Sequence, residues 1–151
     1  MSAFIYTLPL SLMTSLISKE VIATAIRETS SSIYTVMYGL VDTKYPEIEK
    51  VLTELDIKAQ IISIESLIAN IKDINDTVHL LLNYLHQIIC DINDDLTKIN
   101  FSIKSHKKKY FYKWRTPDYV PYLKKLKNDH KVLEKRLSML IRVLSVNQHL
   151  K

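Results

Sequence analysis

Aliphatic residues recur at alternating steps of four and three along residues 57–103. This spacing is typical of an α-helix that packs along its length against other helices, because positions three and four apart share one face. From Ile57 to Ile103, thirteen of the fourteen positions reached in this way are aliphatic. The inner positions form the predicted packing seam, which comprises Ile61, Ile64, Ile68, Ile71, Asn75, Val78, Leu82, Leu85, Ile89, Ile92, Leu96 and Ile99.

The apolar stripe is wider than the seam of a two-stranded coiled coil. With Ile61 as heptad position a, the g positions are also apolar: Leu67, Ile74, Leu81 and Ile88. A two-stranded coiled coil usually carries charges at g. The wider stripe therefore predicts contact with more than one neighbouring helix, as in a bundle of three or four helices.

Asn75 is the one polar residue of the seam, and it has two interpretations. A buried asparagine at an a position can fix the register or the choice of partner. Alternatively, the helix breaks within residues 73–76 and Asp76 caps the next helix. The seam keeps the same register on both sides of Asn75, which favours a continuous helix.

The spacing of apolar residues and the positions of helix-breaking residues predict an all-α fold: an elongated, antiparallel, coiled-coil-like bundle that forms a single domain over residues 1–151. A first helix is expected over about residues 11–41. A long central helix follows over about residues 46–113, about 100 Å in length if unbroken. A last helix covers about residues 118–148, after Pro117. If the central helix breaks at Asn75, four helices of similar length form an up-down-up-down bundle instead.

Composition supports the all-α class and indicates in which cellular compartment we expect the protein. The chain is 47% hydrophobic with one glycine and four prolines, which argues against β-folds with many tight turns. Cys90 is the single cysteine, so no internal disulfide can form, and we expect a reducing intracellular compartment or the inside of an assembled particle. Residues 1–17 are predicted to form an apolar arm. The first basic residue is Lys19, so the apolar stretch lacks the basic start of a secretory signal, and secretion is not expected. We expect this arm either to pack on the bundle or to dock on a partner protein or a lipid interface.

Charge is unevenly distributed along the chain. Residues 42–95 hold eleven acidic and four basic residues, a net charge of −7. Residues 104–127 hold nine basic residues and one acidic residue, a net charge of +8. Such asymmetry favours contact with an acidic partner or head-to-tail contact between copies of the chain.

The basic stretch, residues 104–127, is interleaved with aromatic residues. Cations neutralise phosphates, while exposed rings stack on bases or lie at a lipid interface. The segment is therefore a candidate contact for nucleic acid, an anionic membrane or an acidic protein surface. In the alternative, Phe111, Trp114 and Tyr122 close the core and the lysines are merely solvated. The candidate contact residues are Lys104, Lys107, Lys108, Lys109, Tyr110, Tyr112, Lys113, Trp114, Arg115, Lys124, Lys125 and Lys127.

Other polar residues suggest little chemistry. His86, Cys90 and Asp94 are spaced so that adjacent pairs could meet on one helical face, but nothing marks the further ligands that a metal would need. His130 fits a core histidine, and the acids at 91, 94 and 95 fit a solvated face. We predict no catalytic residues, no metal and no cofactor.

The sequence thus predicts a non-enzymatic structural, assembly or adaptor protein that acts through helical packing and a charge-polarised surface, for example within a larger particle such as a virion. Its expected partners are other protein subunits, in a homo- or hetero-oligomer. Nucleic-acid binding through residues 104–127 is the alternative function, and a peripheral membrane adaptor is the second alternative.

Overall fold

A computed structural model describes residues 19–41, 45–72, 74–109, 111–114 and 116–149. These residues form α-helices and contain no β-strand, so the all-α prediction is confirmed. The helices are α1 (Lys19–Val41), α2 (Pro46–Leu55), α3 (Ile57–Asn70), α4 (Asp76–Lys107) and α5 (Val120–His149), with a short 3-10 helix at Tyr112–Trp114. The expected apolar arm, residues 1–17, lies outside the described residues.

The helices form a four-sided bundle in which α2 and α3 together make one side. The two longest helices, α4 and α5, pack antiparallel, as shown by side-chain contacts that join Ser102 to Asp118 and Asp95 to Lys125. On its other side α4 packs along α1. The fourth side is closed by α3 against α1 and by α2 against α5. All sides contribute fully buried aliphatic residues, among them Ile26, Ile48, Ile61, Leu85 and Leu126.

The prediction of one continuous helix over residues 46–113 is wrong, and the first interruption lies at Asp56. This residue has left-handed backbone angles, φ 48° and ψ 45°. Its N–H donates to the carbonyl of Leu52 at 3.3 Å, while its own carbonyl accepts from the N–H of Gln60 at 3.3 Å. Aspartate tolerates the left-handed region better than most side chains, so α2 can end here and α3 can begin at the next residue.

The second interruption lies between α3 and α4 and corrects the interpretation of Asn75. Ile71 is extended, with φ −73° and ψ 121°. Asn75 is exposed rather than buried, and its Oδ1 accepts from the N–H of Val78 at 2.9 Å, as an N-cap of α4. The helix-break alternative is therefore correct, with Asn75 rather than Asp76 as the cap. The register survives the break because Ile71 and Val78 both point into the same core.

The outer boundaries are closer to expectation. The predicted last helix, residues 118–148, agrees with α5 to within two residues at each end. The predicted central helix extends too far, because α4 ends at Lys107. None of the described helices combines the length and the apolar character that a membrane crossing requires.

Candidate functional site at the hairpin tip

The α4–α5 hairpin carries a lysine-rich segment of which the structure describes residues 104–109 and 111–114, and we call these residues the tip. As α4 ends, the N–H of Lys108 donates to the carbonyl of Ser105 at 3.2 Å and the N–H of Lys109 donates to the carbonyl of His106 at 3.0 Å. Basic side chains suit this position, because the C-terminal end of a helix carries partial negative charge. The exposed ammonium-bearing residues of the tip are Lys104, Lys107, Lys108, Lys109 and Lys113.

Two aromatic side chains lie on the surface of the tip. Phe111 and Trp114 stack with ring centroids 5.1 Å apart and an interplanar angle of 26°. Trp114 remains 79% exposed and Phe111 49% exposed. The N–H of Trp114 donates to the carbonyl of Phe111 at 3.1 Å, and Phe111 has a left-handed φ of 59°. A phenylalanine seldom adopts this conformation, and strained backbone of this kind is often found at functional positions.

The base of the tip is tied into the bundle. Ile103, His106 and Tyr119 are each buried. The hydroxyl of Tyr119 donates to a carboxylate oxygen of Glu47 at 3.3 Å, and its ring lies 5.6 Å from that of Tyr45. These contacts connect the hairpin to the start of α2, so the tip is presented from a fixed base.

The last turn of α4 is packed against this base. The hydroxyl of Ser102 donates to the carbonyl of Asp118 at 3.2 Å, which joins α4 to the residue before Tyr119. α4 continues from Ser102 to Lys107, and His106 within that stretch is buried.

The alternative in which Phe111, Trp114 and Tyr122 close the core is wrong for the first two residues, which are exposed. Tyr119 and His106 occupy the core end instead. Tyr122 is half-buried on α5, with the Lys98 ammonium 5.9 Å from its ring centroid. The end of the core is therefore closed by residues other than Phe111 and Trp114.

The predicted contact residues are divided between the tip and α5. Lys124 and Lys127 are exposed on the first turns of α5. Tyr110, Arg115 and the side chain of Tyr112 lie outside the described part of the chain. The side chain of Lys125 is half-exposed and pairs with two carboxylates of the bundle, so we do not include it in the tip.

Lys125 bridges the two long helices. Its Nζ lies 3.0 Å from Asp95 Oδ1 on α4 and 2.9 Å from Asp129 Oδ2 on α5. Asp95 is fully buried, so its predicted place on a solvated face is wrong. A sequence signal for this burial exists, because position 95 continues the g series that contains Leu81 and Ile88.

Burial and neighbouring charge shift the pKa values of this cluster. Burial, followed by a hydrogen bond with Asp129, raises the pKa of Asp95 to about 7, although Lys125 opposes the rise. The hydrogen bond to Asp129 raises the pKa of Lys125, and Asp95 adds to the effect. Burial, followed by the charge of Asp129, raises the pKa of Asp91, while Lys125 and Arg136 lower it. Burial and the neighbouring carboxylate of Asp129 thus favour the neutral form of Asp95.

The seam residues do not form a surface for partners. Apart from Asn75, all the predicted seam residues are buried against other helices of the same chain. A continuous central helix would leave part of this apolar stripe exposed. In the described residues the stripe is covered by other helices of the same chain.

His86 and Cys90 meet in the α1–α4 interface. The Cys90 Sγ lies 3.4 Å from Nε2 of His86 and 3.9 Å from Oγ1 of Thr29. Burial lowers the pKa of His86. Asp94 is exposed, and no three potential metal ligands gather among the residues that the structure describes. His130 is buried on α5, with its Nε2 3.7 Å from Glu134.

Comparison with family models, curated proteins and solved structures gives no significant match to this chain. The tip geometry and the chemistry of its side chains therefore carry the functional argument.

Proposed function

We propose that the protein is a non-enzymatic adaptor whose helical body presents the tip to an anionic partner. The observation that carries this proposal is the exposed Phe111–Trp114 pair within a segment of exposed lysines. Large apolar rings in water are unfavourable unless a binding event removes them from it. Their position beside the lysines gives a partner both apolar and electrostatic contacts at one place.

The packing of the bundle supports the choice of the tip over the seam. The seam residues already contact α1, α5 and the α2–α3 side, so their apolar surface is used for folding. The tip lysines, in contrast, are exposed to solvent. An anionic partner can therefore approach them without opening the core.

Binding to a soluble polyanion tests the proposal directly. We expect the full chain to bind heparin, with an affinity that falls as salt rises from about 50 to 300 mM because bound counterions are released. Replacing Lys107, Lys108 and Lys109 by glutamine should weaken binding at low salt by about tenfold or more. The slope of the salt dependence should fall by about three, one for each lost contact.

A second triple variant provides the matched control. Lys58, Lys131 and Lys135 are exposed on the body, and their replacement by glutamine changes the net charge equally. We expect this variant to retain heparin affinity to within about twofold. Equal losses in the two triple variants, with unchanged circular dichroism, would show that net charge and not the tip governs binding.

A further inference from the structure

We infer that the anionic partner is a membrane with negatively charged phospholipids, which the tip enters by placing Phe111 and Trp114 among the headgroups. This inference rests on the proposed function and names the class of partner that the tip binds. Three features of the tip favour a lipid surface: its place at the end of the hairpin, the mutual stacking of its rings and its exposed lysines.

The place of the tip in the fold suits a flat surface. It lies at the end of the α4–α5 hairpin, where it can meet a membrane end-on, whereas single-stranded nucleic acid is usually bound along a basic groove. Interfacial segments bury their apolar face about 5–10 Å into the headgroup and acyl boundary.

The stacking of the two rings also favours lipid over nucleic acid. Phe111 and Trp114 each turn one face toward the other at 5.1 Å between centroids. Insertion of a base between them would require the rings to separate. A lipid interface can take up the pair as it stands, and tryptophan is enriched at that depth because its ring is apolar with one polar N–H.

The charges of the tip are arranged for an anionic surface. Lys107, Lys108 and Lys109 precede the aromatic pair, and Lys113 lies beside Trp114. Long lysine stems can follow apolar surface while the ammonium groups reach lipid phosphates. Residues 104–114 include no aspartate or glutamate that would repel an anionic surface.

Trp114 is the single tryptophan of the chain, so intrinsic fluorescence reports on the tip alone. We expect the full chain to sediment with vesicles of phosphatidylcholine and phosphatidylserine but not with vesicles of pure phosphatidylcholine. Binding should shift the Trp114 emission to shorter wavelength. Lipids brominated near the headgroup end of the acyl chain should quench that emission.

Variants separate insertion from simple electrostatic adsorption. Replacing Phe111 and Trp114 together by alanine should reduce sedimentation with phosphatidylserine vesicles by about tenfold or more, because the apolar contact is lost. Phe101→Ala is the matched control, since this ring is 70% exposed on α4 at the level of the base. The control should retain vesicle binding to within about twofold and keep the Trp114 shift.

The outcomes distinguish this inference from the proposed function. Heparin or oligothymidine binding through the tip without vesicle binding would overturn the membrane inference and leave the adaptor proposal standing. Failure to bind heparin and vesicles alike would overturn both. Vesicle binding with unchanged Trp114 emission, or binding that survives loss of both rings, would also overturn insertion.

Discussion

Asp95 lies in the interface between α4 and α5, where burial favours its neutral form and Lys125 favours its charged form. Its folded-state pKa of about 7 exceeds the unfolded value of 3.8, so the folded protein holds the proton more tightly. The stability that this proton contributes is fully present below about pH 4 and is lost as pH rises through about 7. The raised pKa of Lys125 acts in a separate, strongly alkaline window.

Replacing Asp95 by asparagine should remove that pH dependence. From pH 5 to pH 7.5 we expect the wild-type free energy of unfolding to fall by about 2 to 3 kcal/mol relative to the Asp95→Asn variant. Urea denaturation at both pH values measures the difference. Asp94→Asn, at an exposed neighbouring position on α4, should follow the wild type. Parallel pH profiles for the wild type and Asp95→Asn would contradict the assignment.

At the scale of the element, the start of α4 depends on a single side chain. Asn75 Oδ1 satisfies the N–H of Val78, one of the four donors that lack a partner within the helix. We expect Asn75→Ala to lower the free energy of unfolding by about 1 kcal/mol. Chemical denaturation provides the measurement, and Asn70→Ala, at an exposed position near the end of α3, serves as the control. Equal stability of Asn75→Ala and wild type would argue against the cap.

The helical class and the buried face follow directly from the sequence, because a 3.5-residue period is compatible with burial only on a helix face. The interruptions are harder to predict. Asp56 adopts a left-handed conformation without a glycine to mark it, and Ile71 and Val78 preserve the seam across a break because both face one core. A repeat of buried positions records the shared core and does not prove that one helix is continuous.

The tip was only partly predictable for a related reason. His106 and Lys113 replace aliphatic residues at d positions of the seam, which predicts exposure of this segment. The prediction holds for Lys113 and Trp114 and is wrong for His106, which is buried. The pairing of Phe111 with Trp114 depends on the left-handed φ at Phe111, for which the sequence offers no marker. The bridging role of Lys125 could be predicted only if its buried partner Asp95 was recognised at a g position.

At the scale of the molecule, the two interruptions fold a rod into a bundle. A continuous helix over residues 46–113 would be about 100 Å long and would leave each half with one neighbour in its own chain. With the helix interrupted at Asp56 and again between α3 and α4, α4 obtains α1 and α5 as neighbours, and the α2–α3 side completes the core. The longest helix has 32 residues, about 48 Å, which sets the length of the body.

Small-angle scattering should therefore distinguish the two shapes. A compact domain of 151 residues has a radius of gyration of about 15 Å, and the 48 Å helices raise the expected value to no more than about 20 Å. A 100 Å rod would give a value of about 30 Å. Solution mass measured on the same sample ensures that an oligomer is not mistaken for a rod. A monomeric mass with a radius near 30 Å would contradict the bundle, because the seam isoleucines would then lack the neighbours that bury them.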